Sequence, residues 1–416
     1  MGSMIHLSVG RLEIDWGKNS GFTDHSALFQ PGDLAQVPYY YVKEDGGTYT
    51  DTAGEERYEL EAVYKDGMSK PLWQVVDRIE LLGHTLAHCE REFHFLAAFN
   101  DFDTERFTFD ELRRALTLID ATAVSADYGE MGEDFGKFFR RQIFDRLGLA
   151  TVASAPDHAR FDAAQAMENL SAYTVLRLLA LNPAARDLPV TWQFADVETG
   201  GWAERGAFVR SLERSDRFLI VTEGSSDAKI IEHALRLLRP HVADFFQFVD
   251  MEEGYPFAGT GNLFRFLQGL ISIGVQNNVV VLYDNDAEGA ASYERTLELN
   301  VPANMAILKL PDSSDFTDFN ALGPNGRHKA DINGRAAAIE CYLDLGEAPI
   351  IRWTSFNSRT NSYQGELVGK TEYMRTFLSQ RTQVEGYDYG RIEAVLDTII
   401  ERCIRMREAE LAASLC

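Results

Sequence analysis

The chain has 416 residues, with 40 Lys+Arg against 64 Asp+Glu and a net charge of −24. That balance excludes a protein that coats nucleic acid through a broad basic surface, because such binding runs on phosphate neutralisation. A hydrophobic content of 45% and an aromatic content of 11% exclude a disordered acidic tail and predict two or three folded domains of roughly 100–200 residues each. No apolar stretch approaches the roughly 18–20 residues that cross a bilayer, and the start lacks a basic-then-apolar leader, so the expectation is a cytoplasmic protein without a membrane partner. Gly2-Ser3 before Met4 reads as a cloning remnant, with Met4 the native start. Cys89, Cys341, Cys403 and Cys416 form no C-x-x-C pair, which predicts reduced thiols, with no zinc site or disulfide framework.

In chain order, Ile5 to Val9 and Leu12 to Trp16 alternate, Tyr39 to Val42 is aromatic, and Glu44-Asp45-Gly46-Gly47 is a turn signal. The first seventy residues therefore read as strands. From Pro71 the period becomes helical. Val75, Val76, Ile79, Leu82, Leu86 and Phe93 recur at helical spacing within Leu72 to Phe99, and comparable patterns follow at Phe109 to Ile119, Phe135 to Leu147 and Ala163 to Leu181. The expectation for residues 1–205 is a mostly α-helical region with a small β appendage.

Past Arg214 short apolar runs alternate with amphipathic helices. Strands are expected at Phe218 to Thr222, Phe245 to Val249, Val279 to Tyr283 and Met305 to Leu310, and helices at Asp227 to Leu238, Asn262 to Ile273 and Gly289 to Leu299. That order predicts an α/β domain at 215–345, a four-stranded parallel sheet flanked by helices, and makes the chain mixed in class. Residues 346–416 are expected to be a helical extension ending in a charged helix from Tyr389 to about Ala412. From Ile351 onward nine basic and nine acidic residues cancel, so the excess acid lies upstream.

In parallel sheets, functional groups gather where strands end. The first strand ends in Thr222-Glu223-Gly224-Ser225-Ser226-Asp227, and the third in Tyr283-Asp284-Asn285-Asp286 followed by Ala287-Glu288-Gly289. Asp284 and Asp286 are two apart and so share a strand face. Glu223, Asp284 and Asp286 are thereby aimed at one cleft, where uncompensated carboxylates would raise one another's pKa. A hard divalent cation, Mg²⁺ or Mn²⁺, is the ordinary remedy. Asp227 fits either a helix cap or a further ligand.

These motifs resemble those of a Toprim domain, the metal-binding fold of topoisomerases, bacterial primases and nucleases of the overcoming-lysogenization-defect (OLD) type. The resemblance implies that Glu223 is a metal ligand or general base, that Asp284 and Asp286 are the main Mg²⁺ ligands, and that Asp227 is the further acid of the E-G-x-x-D form. The run from Leu310 to Asn320 is similar to the acidic turn of primase-type domains, which makes Asp315 and Asp318 candidates for a second metal or members of a solvated loop. OLD-type nucleases add a lysine from beyond the core. Lys370, after Tyr363-Gln364-Gly365-Glu366-Leu367-Val368-Gly369, stands in that place, as a catalytic cation or a surface lysine, with Arg375 as a second candidate for substrate contact.

Ser8-Val9-Gly10-Arg11-Leu12-Glu13-Ile14-Asp15-Trp16-Gly17-Lys18-Asn19 followed by helices resembles the N-terminal module of HEPN/Toprim-type proteins, a bacterial group associated with phage defence. HEPN ribonucleases place an Arg and a His four to six residues apart, and Arg78 and His84 have five between them. No G-x-x-x-x-G-K-[ST] run is present, so no ATP site is expected; Gly259-Thr260-Gly261 is a helix entry without a lysine. The expectation is a Mg²⁺-dependent endonuclease on DNA or RNA, an effector of anti-phage defence. The alternatives are a regulated sensor with a silent Toprim effector, dimerising through its helical N-terminal region, and a metal-independent ribonuclease using Arg78 and His84.

Overall fold

The computed structural model describes residues 2–50, 56–99, 107–118, 169–249, 260–357 and 362–414. The helix expected at Phe135 to Leu147, the start of the one expected from Ala163, Gly259 and Cys416 all lie outside the described residues. The chain divides into two compact units, Met1–Leu212 with Glu408–Cys416, and Glu213–Arg407.

The first unit contains β1 (Met4–Val9), β2 (Leu12–Lys18), β3 (Leu34–Val42), β4 (Thr48–Thr50), β5 (Glu56–Tyr58), β6 (Leu60–Pro71) and β7 (Pro189–Gln193). β4 pairs with β5, and the others form one antiparallel sheet in the order β2-β1-β7-β6-β3. β1 shows why: Ile5, Leu7 and Val9 are buried while the residues between them are not, the two-residue period of a half-covered strand. Against that face pack Val75 and Ile79 of the helix Leu72–Leu81, Phe93 of Leu86–Phe99, Leu112 of Phe109–Leu118 and Leu176 of Ala172–Leu179.

The expectation of a mostly helical N-terminal region is overturned. Residues 1–100 are mostly strand with a few helices. Two features hid this. β6 pairs with β3 over nine positions, from Leu34↔Met68 to Val42↔Leu60, but Glu61, Ala62 and Val63 are all exposed, so its first half lacks the apolar alternation that marks a strand. β7 then enters the middle of the sheet from more than a hundred residues downstream, a pairing that no local pattern encodes. The continuous helix read over 72–99 is two helices, separated at Gly83, whose φ of +98° only glycine adopts without strain.

The second unit is built on β8 (Phe218–Thr222), β9 (Phe246–Phe248), β10 (Asn278–Tyr283), β11 (Asn285–Asp286) and β12 (Met305–Lys309). Four of these form a parallel sheet in the order β12-β10-β8-β9, with the helices Ser225–Leu238, Thr260–Ile273 and Ala287–Leu297 between them in sequence. All six residues of β10 are buried, as covering on both faces requires. From β8 the chain adds β9 on one side and then β10 on the other. The gap between the ends of β8 and β10 is therefore a topological switch point, where ligands of open α/β sheets bind.

Beyond β12 the structure holds more strand than the sequence led one to expect. β13 (Phe319–Gly323), β14 (Gly326–Ala330), β15 (Ala336–Ala337), β16 (Ile351–Asn357) and β17 (Ser362–Leu367) follow. β15 pairs with β11, and the rest form a second sheet, β14-β13-β16-β17. The helices Lys370–Leu378 and Gly390–Ser414 close the chain, so residues 346–416 are a strand pair plus helices where helices alone were expected. Among the described residues no helix is long and apolar enough to cross a membrane.

Candidate active site

The site grows from the ends of β8 and β10. Glu223 follows the last residue of β8, and Gly224 turns the chain into the helix Ser225–Leu238. The Gly224 amide donates to Asp227 Oδ2 at 3.0 Å, and Ser226 Oγ lies 3.2 Å from Asp227 Oδ1. Asp227 thus does cap the helix, and it is also buried among acids. Asp284 follows β10 and donates its amide to Glu223 Oε1 at 3.1 Å, which ties the two strand ends together.

Asp286 starts the helix Ala287–Leu297 and accepts the amides of Glu288 and Gly289 at 3.0 and 2.7 Å, a carboxylate at a helix N-terminus. Gly289 is dictated by space: a Cβ there would stand 2.3 Å from the Asp284 carbonyl oxygen and 2.9 Å from Glu223 Oε1. Between the two aspartates, Asn285 is fully buried and occupied elsewhere. Its Oδ1 accepts from Lys309 Nζ at 2.7 Å and the Gly334 amide at 2.8 Å, and its Nδ2 donates to Asp312 Oδ1 at 2.9 Å. This side chain anchors the backbone that presents Asp284 and Asp286.

The electrostatics confirm that the acids act on one another. Burial pushes Glu223 up to about 8, aided by the charge of Asp286 and then those of Asp227 and Glu288. Asp227 is pushed up to about 7 by burial and by Glu340. Asp284 is held well above the usual carboxylate range by burial and by Asp227, Glu223, Asp286 and Glu340. Asp286 is raised by burial and Glu288, against the lowering effect of its two amide donors and of Lys370. Lys370 follows Gly369, whose φ is +81°, at the end of β17.

Glu223, Asp227, Asp284 and Asp286 are therefore brought into mutual range, and Lys370 into range of Asp286. Asp315 and Asp318 are placed otherwise. Asp315 is exposed on the turn Ser314–Phe316, its amide bound to Ser313 Oγ, and Asp318 pairs with Lys329 at 3.5 Å. Neither is among the charges that shift the four acids. The residue that sequence reasoning missed is Glu340, buried in the turn Ile339–Tyr342. Its signal was available, as the one charge in the apolar run Ala336 to Leu343, since such a charge is rarely buried without a task.

The donor set suits a hard cation: all its members are carboxylates, and Glu223 and Asp286 each use one oxygen on backbone amides and keep the other. Among the described residues no three acidic, histidine or cysteine side chains stand, as placed, so that together they could hold a metal ion. An ion here would retain part of its water shell, as Mg²⁺ commonly does.

In the first unit, the Arg78 guanidinium is 0% exposed and donates to the carbonyls of Ala27 and Phe29 at 3.0 and 3.1 Å. His84 packs edge-on against Tyr173 and His88, with ring centres 5.0 and 4.9 Å apart. Residues 1–216, just over half of the chain, match the family described as HEPN/Toprim N-terminal domain 1. The chain belongs to that family. Membership of the HEPN/Toprim group points to a nuclease-related role for the protein. No curated protein and no solved structure matches it.

Proposed function

We propose that this HEPN/Toprim protein is a metal-dependent phosphodiesterase acting on nucleic acid, with its second unit as the Toprim part. The observation that carries the reading is the gathering of Glu223, Asp227, Asp284 and Asp286 at the switch point of a parallel sheet, with the Lys370 charge acting on Asp286. Carboxylates that raise one another's pKa are candidates for a functional site, and the helix caps of Asp227 and Asp286 account for only part of their placement.

Glu223, Asp284 and Asp286 would hold Mg²⁺ or Mn²⁺, with Asp227 as a further ligand. When bound, the ion supplies charge neutralisation for the phosphodiester and acidifies a water molecule. Glu223 would serve either as such a ligand or as the base that takes the proton of the attacking water, and Lys370 would offset negative charge that builds on the phosphate. Asn285 and Gly289 fix the backbone on which these groups stand. The resemblance of the N-terminal module extends the proposal to an effector of anti-phage defence.

A cleavage panel of plasmid DNA, single-stranded DNA, tRNA and total RNA, run with Mg²⁺ and with EDTA, tests the reading. Cleavage is expected in Mg²⁺ alone and is expected to fall at least about 100-fold in Glu223→Ala. Cleavage that persists in EDTA and disappears in His84→Ala would instead establish the ribonuclease alternative, which the burial of Arg78 disfavours.

A further inference from the structure

Glu340 is a buried acid with nothing to bind. It is 7% exposed, and among the described residues its carboxylate accepts no hydrogen bond and makes no ion pair. Arg391, the cation beside its turn, donates Nη2 to the Leu343 carbonyl at 2.8 Å instead. A carboxylate taken out of water without a partner opposes folding, so acids are rarely buried in this way.

The fold fastens this acid to the candidate site. β15 pairs with β11 so that Ala336 lies opposite Asp286 and Ala337 opposite Asn285, and three residues later the chain reaches Glu340. The turn Ile339–Tyr342 packs against the helix Ser225–Leu238, which Asp227 caps, and against the helix Lys370–Leu378, which Lys370 opens. Tyr342 Oη donates to the Pro311 carbonyl at 2.6 Å and lies 3.4 Å from Asn285 Nδ2, and Cys341 Sγ lies 3.6 Å from the Ala336 carbonyl. The turn is thus tied to the strand end that carries Asp284 and Asp286.

The charges divide the site into two sides. Glu340 is the largest charge acting on Asp227 and one of those acting on Asp284. Glu223 and Asp286 answer to other charges, the first to Asp286, Asp227 and Glu288, the second to Glu288 and Lys370. Lys370 therefore serves the side of Asp286. On the side of Asp227, Asp284 and Glu340, no lysine or arginine is among the charges that act on the two aspartates. Positive charge for three carboxylates held together there has to come from outside the chain, and a hard divalent ion is the chemistry that all-oxygen donors accept.

We propose that Glu340 belongs to the cation site and sets its affinity for Mg²⁺ or Mn²⁺, on the side of Asp227 and Asp284 where the chain supplies no positive charge. The inference rests on the cation part of the proposed function and adds a residue to it. Since no three such side chains stand, as placed, so that together they could hold an ion, Glu340 acts on the ion through its charge and through the retained water shell. Groups behind the direct ligands of a metal commonly change its affinity by roughly 10- to 100-fold.

Mn²⁺ is the probe. The full chain is titrated with it in the absence of nucleic acid, and the free ion is read by electron paramagnetic resonance. Glu340→Gln keeps the shape and removes the charge; it is expected to weaken Mn²⁺ binding at least about 10-fold, with a melting temperature in EDTA equal to or above that of the parent. Glu340→Asp, which keeps the charge, is expected to stay within about 3-fold of the parent. Glu347→Gln, at an exposed acid, controls for net charge and is expected to bind as the parent does.

An affinity in Glu340→Gln equal to the parent's overturns the inference, with protons in place of an ion neutralising this side of the site. So does a Glu340→Gln chain that unfolds in EDTA, because the charge is then structural, and so does an equal loss in Glu347→Gln. A parent that binds no Mn²⁺ overturns both this inference and the metal-dependent reading. A parent that binds Mn²⁺, loses that binding in Glu340→Gln and yet cleaves no nucleic acid overturns the nuclease reading alone.

Discussion

The two units bury charge in opposite ways. In the first, Lys70, Arg78 and Asp15 meet partners. Lys70, 2% exposed, pairs with Asp33 at 2.9 Å and donates to Gln30 Oε1 at 3.0 Å, and Arg78 spends its guanidinium on backbone carbonyls. Burial pushes Asp15 up, but the hydrogen bond and charge of His25, 2.8 Å away, outweigh it and hold Asp15 below its ordinary value. In the second unit, carboxylate faces carboxylate and the pKa values rise. Compensated buried charge holds a fold in one arrangement, whereas uncompensated like charge opposes it, and the proposed metal ion would be the missing cation.

That contrast can be broken most directly at the acids. Asp284→Ala/Asp286→Asn, the asparagine keeping the cap of the helix Ala287–Leu297, is expected to abolish cleavage, with a loss of at least about 100-fold, while leaving metal-free thermal stability equal to or above that of the parent. An unfolded double variant would place these acids with the structural charges of the first unit. Lys70→Met is the converse: it strands Asp33 and is expected to cost about 3–5 kcal/mol in denaturant unfolding.

Gly289→Ala comes next. The added methyl meets the Asp284 backbone, so the helix must move away from the strand end, at about 1–3 kcal/mol and with weakened cleavage. A melting temperature and rate equal to the parent's would show that the two elements do not depend on that close approach.

The pH dependence is a smaller effect of the same cause. Glu223 goes from an ordinary value of 4.5 when unfolded to about 8 when folded. The folded state binds this proton more tightly, so its contribution to stability falls as pH rises from about 4.5 to about 8 and is fully lost above that. In EDTA, Glu223→Gln is expected to melt above the parent at pH 8, by roughly 2–4 °C for each kcal/mol relieved, and to converge with it near pH 4.5. Added Mg²⁺ at pH 8 is expected to raise the melting point of the parent more than that of the variant. Lys370→Ala, at an exposed position, should have the smallest effect, about 10-fold on cleavage in Mg²⁺, with an unchanged melting point.

Much of the geometry of the candidate site was legible because its signals are local. A strand followed by Glu-Gly and another by Asp-x-Asp announce themselves within ten residues, and β8, β10 and β12 lie within a residue of where their apolar runs placed them. Asn285 and Glu340 were harder to see. Asn285 reads as a spacer until its partners Lys309, Asp312 and Gly334 arrive from other loops. The hairpin of β13 and β14 had a usable marker, Pro324-Asn325-Gly326 between short runs, but its exposed Arg327-His328-Lys329 concealed the strand.

By itself the sequence determined the parallel α/β sheet, the acids at its strand ends and the overall negative charge, because apolar period and strand-end motifs are properties of contiguous residues. Tertiary structure alone decided that the first hundred residues are mostly sheet, since β7 reaches β1 and β6 across a long interval. It alone decided that Lys370 acts on Asp286, that Arg78 is spent inside the fold, and that the charge of Glu340 acts on Asp227. Each of these depends on which distant segments pair and in what register, and a shift of one residue would reverse every side chain involved.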